Sequence, residues 1–249
     1  MKTFIKKTAT LFSVIILLTG LMCAEVSAAR WGGGGGGGGG NWGGITAARV
    51  IGNVLVPPDD PLWDAATAQS FNLRFINSTG GGGMWGGGDG TSGGTGGTMT
   101  VKAIHNGTEI AFLLTWNDAT RNDTVNGVDE FSDRVGIMFS AQQKCRMGSP
   151  ANPVNIWFWH AARGEVNNIV AGGLGTITKT GDDNIQVISH YANGQWQVVM
   201  SRPLVPINTD NQVDLTNGNS PMAFARWDGA NRERNGKKWI TGQTSVSLQ

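Results

Sequence analysis

The sequence predicts an all-β protein, an antiparallel β-sandwich of jelly-roll or immunoglobulin-like type with long glycine-rich loops. Many short apolar runs of strand length follow one another along the chain, and Asn-Gly pairs stand between some of them at hairpin positions. No segment shows a long apolar period of 3.6 residues, and FSAQQKCRM at 139–147 would form at most one or two helical turns.

The first 28 residues are expected to be a secretory signal peptide. Three lysines precede an apolar run that ends near Met22, and the small-residue sequence VSA follows, so we place cleavage near Ala28. The apolar run is shorter than the ~20 residues of a membrane-spanning helix. Met22 before Cys23 argues against a lipid anchor. The mature protein is therefore expected to be soluble and periplasmic.

Glycine dominates two further segments. Residues 29–48 include nine consecutive glycines and are expected to be a flexible leader, because such a run cannot offset its own ordering entropy. The folded domain is then expected over residues 49–249. Within it, Gly80–Thr98 is predicted to be a long mobile loop, and it lacks the Gly-Lys-Ser/Thr of a phosphate-binding loop.

The strands are predicted from alternation and turn signals. FNLRFI precedes the glycine loop, and TVKAIH and EIAFLLTW follow it as an Asn-Gly hairpin. DRVGIMFS and VNIWFWHA come next. IQVISHY and QWQVVMSRPL form a second Asn-Gly hairpin, and PMAFARWD is the last predicted strand.

Charge and cysteine content exclude several classes of function. Without the signal segment, 16 basic and 17 acidic residues remain, which gives no electrostatic reason to bind nucleic acid or an anionic membrane. Cys145 is then the only cysteine, so no internal disulfide is expected. No C-x-x-C-H motif is present, which excludes a covalently attached c-type haem. Cys145 is either a buried apolar residue or a reactive or ligating thiol.

Common catalytic motifs are absent from the sequence. It contains no H-E-x-x-H, no G-x-S-x-G and no triad order. We expect His105 to be solvated at a hairpin and His190 to be structural, whereas His160 is either structural or a ligand. The acidic segment WNDATRNDTVNGVDEFSD lacks the spacing of a calcium loop and is expected to be solvated.

Tryptophan is unusually frequent, with ten residues against one tyrosine. Exported β-sandwiches use exposed tryptophan to stack sugars and buried tryptophan to wall a flat cofactor. Trp157 and Trp159 share one side of an alternating strand and Phe158 takes the other. Aromatic residues on both faces indicate burial on both sides.

Two loops carry side chains that could ligate haem iron. Met147 lies in the turn MGSP, and its thioether is a soft ligand that suits haem iron and raises its reduction potential. The segment FARWDGANRERNGKKW carries Lys237 and Lys238. A lysine binds iron only as the neutral amine, which burial makes accessible by lowering its pKa. The alternative is a solvated basic loop.

At these residues the sequence resembles the haem-b-binding γ subunit of the periplasmic type II complexes of the dimethyl sulfoxide reductase family. This subunit is also known as the cytochrome c-552/DMSO reductase-like haem-binding domain. The complexes include ethylbenzene dehydrogenase, chlorate and selenate reductases, dimethyl sulfide dehydrogenase and nitrite oxidoreductase. The resemblance rests on DDPLWDAA, VKAIHNGTEIAFLLTWND, DRVGIMFS, MGSPANPVNIWFWHA and FARWDGANRERNGKK, in the family's order.

The resemblance implies one noncovalent haem b held in the β-sandwich by Met147 and Lys238. Lys237 is the reserve for the second ligand, and His160, where the family more commonly has a lysine, is a rival. Trp157 and Trp159 are expected to wall the haem pocket, although core packing explains them as well.

The resemblance also implies a non-catalytic subunit that transfers single electrons. Its expected partners are a molybdenum catalytic subunit, an iron–sulfur subunit and a soluble c-type cytochrome. Two other interpretations remain open: an exported carbohydrate-binding β-sandwich without haem, and a stand-alone haem or metal sensor.

Overall fold

A computed structural model describes residues 44–77, 97–140, 147–173, 175–181, 184–208, 211–216 and 218–249. The regular structure among these residues is almost entirely β-strand, which confirms the predicted β-sandwich. The strands are β1 (Ile45–Arg49), β2 (Gln69–Asn72), β3 (Arg74–Asn77), β4 (Thr98–His105), β5 (Glu109–Asn117), β6 (Arg134–Ser140), β7 (Val154–His160), β8 (Glu165–Ala171), β9 (Ile177–Lys179), β10 (Gln186–Ala192), β11 (Gln195–Pro203), β12 (Ser220–Trp227), β13 (Lys237–Ile240) and β14 (Thr244–Leu248). Two short 3₁₀ turns, Pro61–Ala65 and Ala161–Arg163, complete the regular structure.

The strands form two antiparallel layers that share β1. The smaller sheet has the order β10-β11-β5-β4-β2, and the larger has the order β9-β8-β7-β6-β12. The far edge of β12 pairs with β14 at its start and with β13 near its end, and β13 pairs in turn with β3. β1 runs parallel to both β14 and β4, so it joins the two layers.

β1 overlaps the end of the segment that was expected to be a flexible leader. Ile45 and Ala47 are fully buried in the core, so the folded region already includes residues that precede 49. The other expectations for the N-terminal 43 residues lie outside the described residues. So do Cys145, the possible helical turn at 141–146, and most of the Gly80–Thr98 loop.

The main core lies between the two sheets and is built from alternate residues of nearly every long strand. Large aromatic side chains dominate it, and each contributes on the order of 1.5–3 kcal/mol on burial. The outer face of the smaller sheet packs against the segment after β1, where the 3₁₀ turn buries Trp63 and Asp60 caps the Leu62 N–H at 2.8 Å. In the described ranges, no helix is long and apolar enough to cross a membrane.

The outer face of the larger sheet carries a separate apolar cluster. Its buried members are Val154, Ile156, Ile169 and Ala171, and the half-buried Met138, Met147 and Phe158 pack against them. Met147, the first predicted ligand, therefore lies on the outside of this sheet and not between the layers.

Candidate functional site

A tight turn holds Met147 against the larger sheet. Ser149 and Asn152 exchange two backbone hydrogen bonds of 3.0 Å, and Gly148 adopts a φ of 78°. A Cβ at Gly148 would lie 2.3 Å from the Ala171 carbonyl oxygen, so only glycine lets the loop pass this close to β8. The Met-Gly pair in the sequence thus positions the thioether on the outer apolar cluster.

The second predicted ligand, Lys238, lies on the same outer face of the larger sheet. Its neighbour Trp239 faces the main core, and alternation along β13 turns Lys238 outward. The Lys238 amine lies 5.0 Å from the centre of the Trp227 ring. Burial lowers the pKa of Lys238, and the structure gives its amine no hydrogen bond or ion pair within the described residues.

Between Met147 and Lys238 lies an apolar surface that we call the outer platform, defined by Gly136, Met138, Phe158, Ala225 and Trp227. The strand register places Gly136 beside both Phe158 and Ala225, so small residues form the middle of the surface. Phe158 meets Trp227 edge-on at 5.3 Å. Three strand spacings, roughly 14 Å, separate β7 from β13. Lys238 is level with His160 at the end of β7, and the Met147 turn packs at the start of β7, so the two residues lie at diagonal corners of the platform.

The two adjacent lysines differ in their surroundings. Lys237 donates a hydrogen bond from its amine to the Asn231 carbonyl at 2.5 Å. Lys237 therefore already has a hydrogen-bond partner, whereas Lys238 is desolvated and its pKa is lowered. The structure therefore favours Lys238 over Lys237 as a nitrogen ligand.

His160, the rival ligand, also lies on the larger sheet, at the end of β7. Its Nδ1 is 3.0 Å from the Ser132 hydroxyl, and its register partner on β6 is Arg134. Burial, together with the charges of Arg134 and Arg163, lowers the pKa of His160 to about 4. The imidazole is thus neutral at pH 7, but its Nδ1 is already hydrogen-bonded to the Ser132 hydroxyl.

Arg134 is a basic residue that the sequence reasoning did not single out. It lies on the face of β6 that carries Gly136, with Trp227 as its register partner on β12. Its Nε is buried and has no hydrogen-bond partner within the part of the chain that the structure describes. Burial and the charge of Arg163 lower its pKa. An unpaired guanidinium beside an apolar platform is a site for an anionic group.

Trp157 and Trp159 lie on the opposite face of β7, fully buried in the main core. Trp157 packs against Phe139 at 4.9 Å, and Trp159 packs against Trp196 at 5.0 Å. The structure does not bring them together with Met147 and Lys238. The aromatic residues beside those two predicted ligands are Phe158 and Trp227, which the alternation of the two sequence segments could have indicated.

The acidic segment after β5 differs from its prediction. Asp129 and Glu130 are exposed, as expected, but Asp118 and Asp133 are only 5% and 0% exposed. The expectation of a uniformly solvated loop was wrong because the loop folds back over the end of the sandwich. There the Asp133 carboxylate accepts hydrogen bonds from the Asn122 and Gly229 backbone N–H groups and from Trp196 Nε1.

The family model for ethylbenzene dehydrogenase matches residues 60–184 and 174–239. The chain is 33% identical over 148 residues to the chlorate reductase subunit gamma of Ideonella dechloratans, covering 57% of this chain and 61% of that protein. It is 38% identical over 153 residues to the dimethylsulfide dehydrogenase subunit gamma of Rhodovulum sulfidophilum, covering 57% of each chain.

A third relative is a Haloferax mediterranei protein named as the inferred heme subunit ORF7 of a respiratory nitrate reductase. It is 32% identical over 148 residues, which cover 58% of this chain and 53% of that protein. The matches thus span between 53% and 61% of the length of these relatives.

Among solved structures, a Bacteroides uniformis protein described as carbohydrate-binding superposes with a TM-score of 0.51 at 10% identity, covering 83% of this chain and 99% of that one. This likeness concerns the fold alone. The family match spans most of the folded domain and includes both Met147 and Lys238. The chain therefore belongs to the ethylbenzene dehydrogenase family, which confirms the resemblance found in its sequence.

Proposed function

We propose that this chain is an electron-transfer subunit that binds one haem b noncovalently on the outer platform, where Met147 and Lys238 would hold the iron. The observation that carries the proposal is the placement of these two side chains on one face of the larger sheet. They flank a surface with a flat middle, and Lys238 is desolvated and unpaired within the described residues. Similarity to a protein named as a heme subunit supports the cofactor.

The residues present fit a haem in three respects. A thioether and a neutral amine are both competent ligands for haem iron. Gly136 and Ala225 leave the middle of the platform low, the half-buried Phe158 offers aromatic surface beside it, and the buried Trp227 packs edge-on against Phe158. The unpaired Arg134 guanidinium suits a propionate carboxylate.

The haem would supply a reversible one-electron change at iron. The chain's own residues would set the reduction potential and the access of water. Bound to the iron, the Met147 thioether would favour the reduced state and so would raise the reduction potential. Burial lowers the pKa of the Lys238 amine and so makes its neutral, ligating form easier to reach, and the apolar platform excludes water from one side. The chain itself would carry out no substrate chemistry.

The partners are inferred from the relatives named as gamma subunits of chlorate reductase and dimethylsulfide dehydrogenase. We infer a complex with a molybdenum catalytic subunit and an iron–sulfur subunit, with a soluble c-type cytochrome as the exchange partner. The signal-like N-terminus supports assembly in the periplasm. Co-purification with two larger subunits would support this assignment, whereas a red protein purified alone would indicate the stand-alone sensor.

The first test is an absorption spectrum of protein purified from a periplasmic fraction, oxidised and then reduced with dithionite, with a pyridine haemochrome assay for haem type and stoichiometry. We expect sharp low-spin b-type bands in the wild type. Met147→Ala and Lys238→Ala should each convert the spectrum to high spin. Lys237→Ala is the matched control and should leave the bands unchanged.

A spectrum that survives Lys238→Ala but changes in His160→Ala would move the second ligand to His160. A colourless protein that does not take up added haem would overturn the proposal and leave carbohydrate binding as the alternative. The structure gives that alternative little support, because the seven described tryptophans are at most 7% exposed. A sugar platform requires exposed aromatic rings.

A further inference from the structure

Three carboxylates meet at one end of the sandwich. Asp118 follows β5, Asp133 precedes β6 and Asp228 follows β12. One oxygen from each lies within 4.8 Å of the others. Asp118 and Asp133 are 15 positions apart in the sequence, and Asp133 and Asp228 are 95 apart. The pairing of β6 with β12 and the packing of the two sheets bring the three together.

The hydrogen bonds around the three carboxylates leave part of their oxygen surface unused. Asp133 accepts from three N–H groups, and Asp228 accepts from the backbone and side-chain N–H groups of Asn231. Asp118 accepts from Thr120 through Oδ1 only. Its Oδ2 is buried without a hydrogen-bond partner, on a residue that is only 5% exposed.

Positive charge does not balance this cluster. No ion pair to any of the three carboxylates is found among the described residues, and the Arg226 charge is only a minor influence on Asp118. Like charges held this close require either a proton or a cation between them.

We propose that Asp118, Asp133 and Asp228 bind a divalent cation of the calcium class. The donors are all hard oxygens, with no histidine or cysteine among them. Ca²⁺–oxygen bonds of about 2.3–2.6 Å place ligand oxygens up to roughly 5 Å apart, which matches the spread of the cluster. The Thr120 hydroxyl and the Asn122 amide oxygen, 2.9 Å from one another, supply neutral oxygens beside Asp118.

An ion could reach this position from the surface. Asp228 is half-buried, and a surface cavity lined by Asn122, Gly229 and the acidic Asp129 and Glu130 opens beside the residues that hydrogen-bond Asp133. A bound cation would tie together the ends of β5, β6 and β12. Asp133 and Asp228 adjoin Arg134 and Trp227 in sequence, so the ion would also steady one end of the outer platform.

The test uses the full-length protein stripped with a chelator and then titrated with Ca²⁺, Mg²⁺ or Tb³⁺. We expect Ca²⁺ at about 100 times its dissociation constant to raise the unfolding temperature by about 5–10 °C. Tb³⁺ should give tryptophan-sensitised luminescence that excess Ca²⁺ quenches, because the Trp196 indole donates to Asp133 at 2.9 Å.

Asp118→Asn and Asp228→Asn should each abolish both responses, while the exposed Asp129→Asn on the same loop should keep them. If Asp118→Asn does not fold, the wild-type titration and Asp228→Asn, at a half-buried position, still test whether the cation binds here. The proposal would be overturned if the wild type showed no thermal shift and no luminescence. It would also be overturned if the two variants kept both responses. The carboxylates would then share a proton instead.

Discussion

At the scale of single residues, neighbours in sequence acquire different chemistry from their surroundings. Lys237 and Lys238 are indistinguishable in a sequence that reads RNGKKW. The Lys237 amine donates a hydrogen bond to the Asn231 carbonyl, whereas the Lys238 amine is buried over the Trp227 ring and its pKa is lowered. The same contrast separates Asp118 from Asp129, which lie eleven residues apart on one acidic segment.

Arg134 provides a prediction about the cofactor's carboxylates. Arg134→Leu should release haem about 10–100-fold faster, because a charge-assisted hydrogen bond contributes roughly 1.5–3 kcal/mol. The haem-free protein should not lose stability, since the substitution removes an unpaired, partly desolvated cation. Haem transfer to an acceptor apoprotein and urea unfolding measure the two effects.

Arg163→Leu serves as the control for Arg134, because Arg163 is 61% exposed and already has Glu165 at 3.7 Å. Unchanged haem release in Arg134→Leu, or equal acceleration in both variants, would rule out the assignment of Arg134 to a propionate.

His160 predicts a pH dependence of stability. Its folded pKa of about 4 lies below the unfolded value of 6.5, so the unfolded state binds the additional proton between these limits. The free energy of unfolding contributed by this group should therefore fall as the pH is lowered from 6.5 towards 4. Arg134 and Arg163 oppose protonation, Glu165 favours it, and Ser132 is the hydrogen-bond partner.

Urea denaturation of haem-free wild type and His160→Gln at pH 7, 6, 5 and 4.5 measures this contribution. The variant should lose less stability than the wild type across this range. If the free energy of unfolding changed with pH equally in the two proteins, His160 would not be held neutral. His190 is exposed, so His190→Gln is the control for loss of an imidazole ring.

At the scale of elements, strand β7 separates the aromatic residues of the main core from those of the outer platform. Trp157 and Trp159 enter the main core, while Phe158 faces the outer platform beside Trp227. The sequence predicted this alternation, but not which face would carry the ligands, because that choice depends on where the Met147 turn and β13 lie. Those are tertiary contacts that no local pattern contains.

The strands that the sequence reasoning missed have a common physical reason. β1 and β14 carry small and hydroxylated residues, β13 is a four-residue KKWI, and three of the seven residues of β8 are polar. Their pairing depends on neighbouring strands more than on their own propensity. The long alternating runs, such as β5 and β11, were predictable because their inward residues fill the core.

Paired alanine substitutions on β7 test this division. Phe158→Ala should cost the haem-free protein only about 1 kcal/mol, because the ring is half-buried, yet it should weaken haem binding. Trp157→Ala should cost about 3–5 kcal/mol, since the side chain is fully buried. Urea unfolding and haem titration on each variant give the two numbers. If Phe158→Ala and Trp157→Ala weakened haem binding equally under conditions where both variants are folded, the placement of the site on the outer face would be contradicted.

At the scale of the whole molecule, β1 closes the sandwich. It is parallel to β14 of the larger sheet and to β4 of the smaller one, so five residues support an edge of each layer. Ile45 and Ala47 point into the main core, whereas Ala48 belongs to the cluster under the Trp63 turn. This strand immediately follows a glycine-rich segment, and its own composition, ITAAR, gives little signal of its role.

The contribution of β1 can be measured by a matched pair of substitutions in the intact chain. Ala47→Asp places a carboxylate at a position with no exposure and should cost about 3 kcal/mol or more. Thr46→Asp puts the same side chain on an exposed position of the same strand and should change stability by less than about 0.5 kcal/mol. Equilibrium unfolding in urea should show a lower midpoint for Ala47→Asp only. Because β1 joins both layers, the loss should appear as one cooperative transition of the whole sandwich. Equal midpoints for the two variants would show that the fold does not depend on β1 and that the domain begins after residue 49.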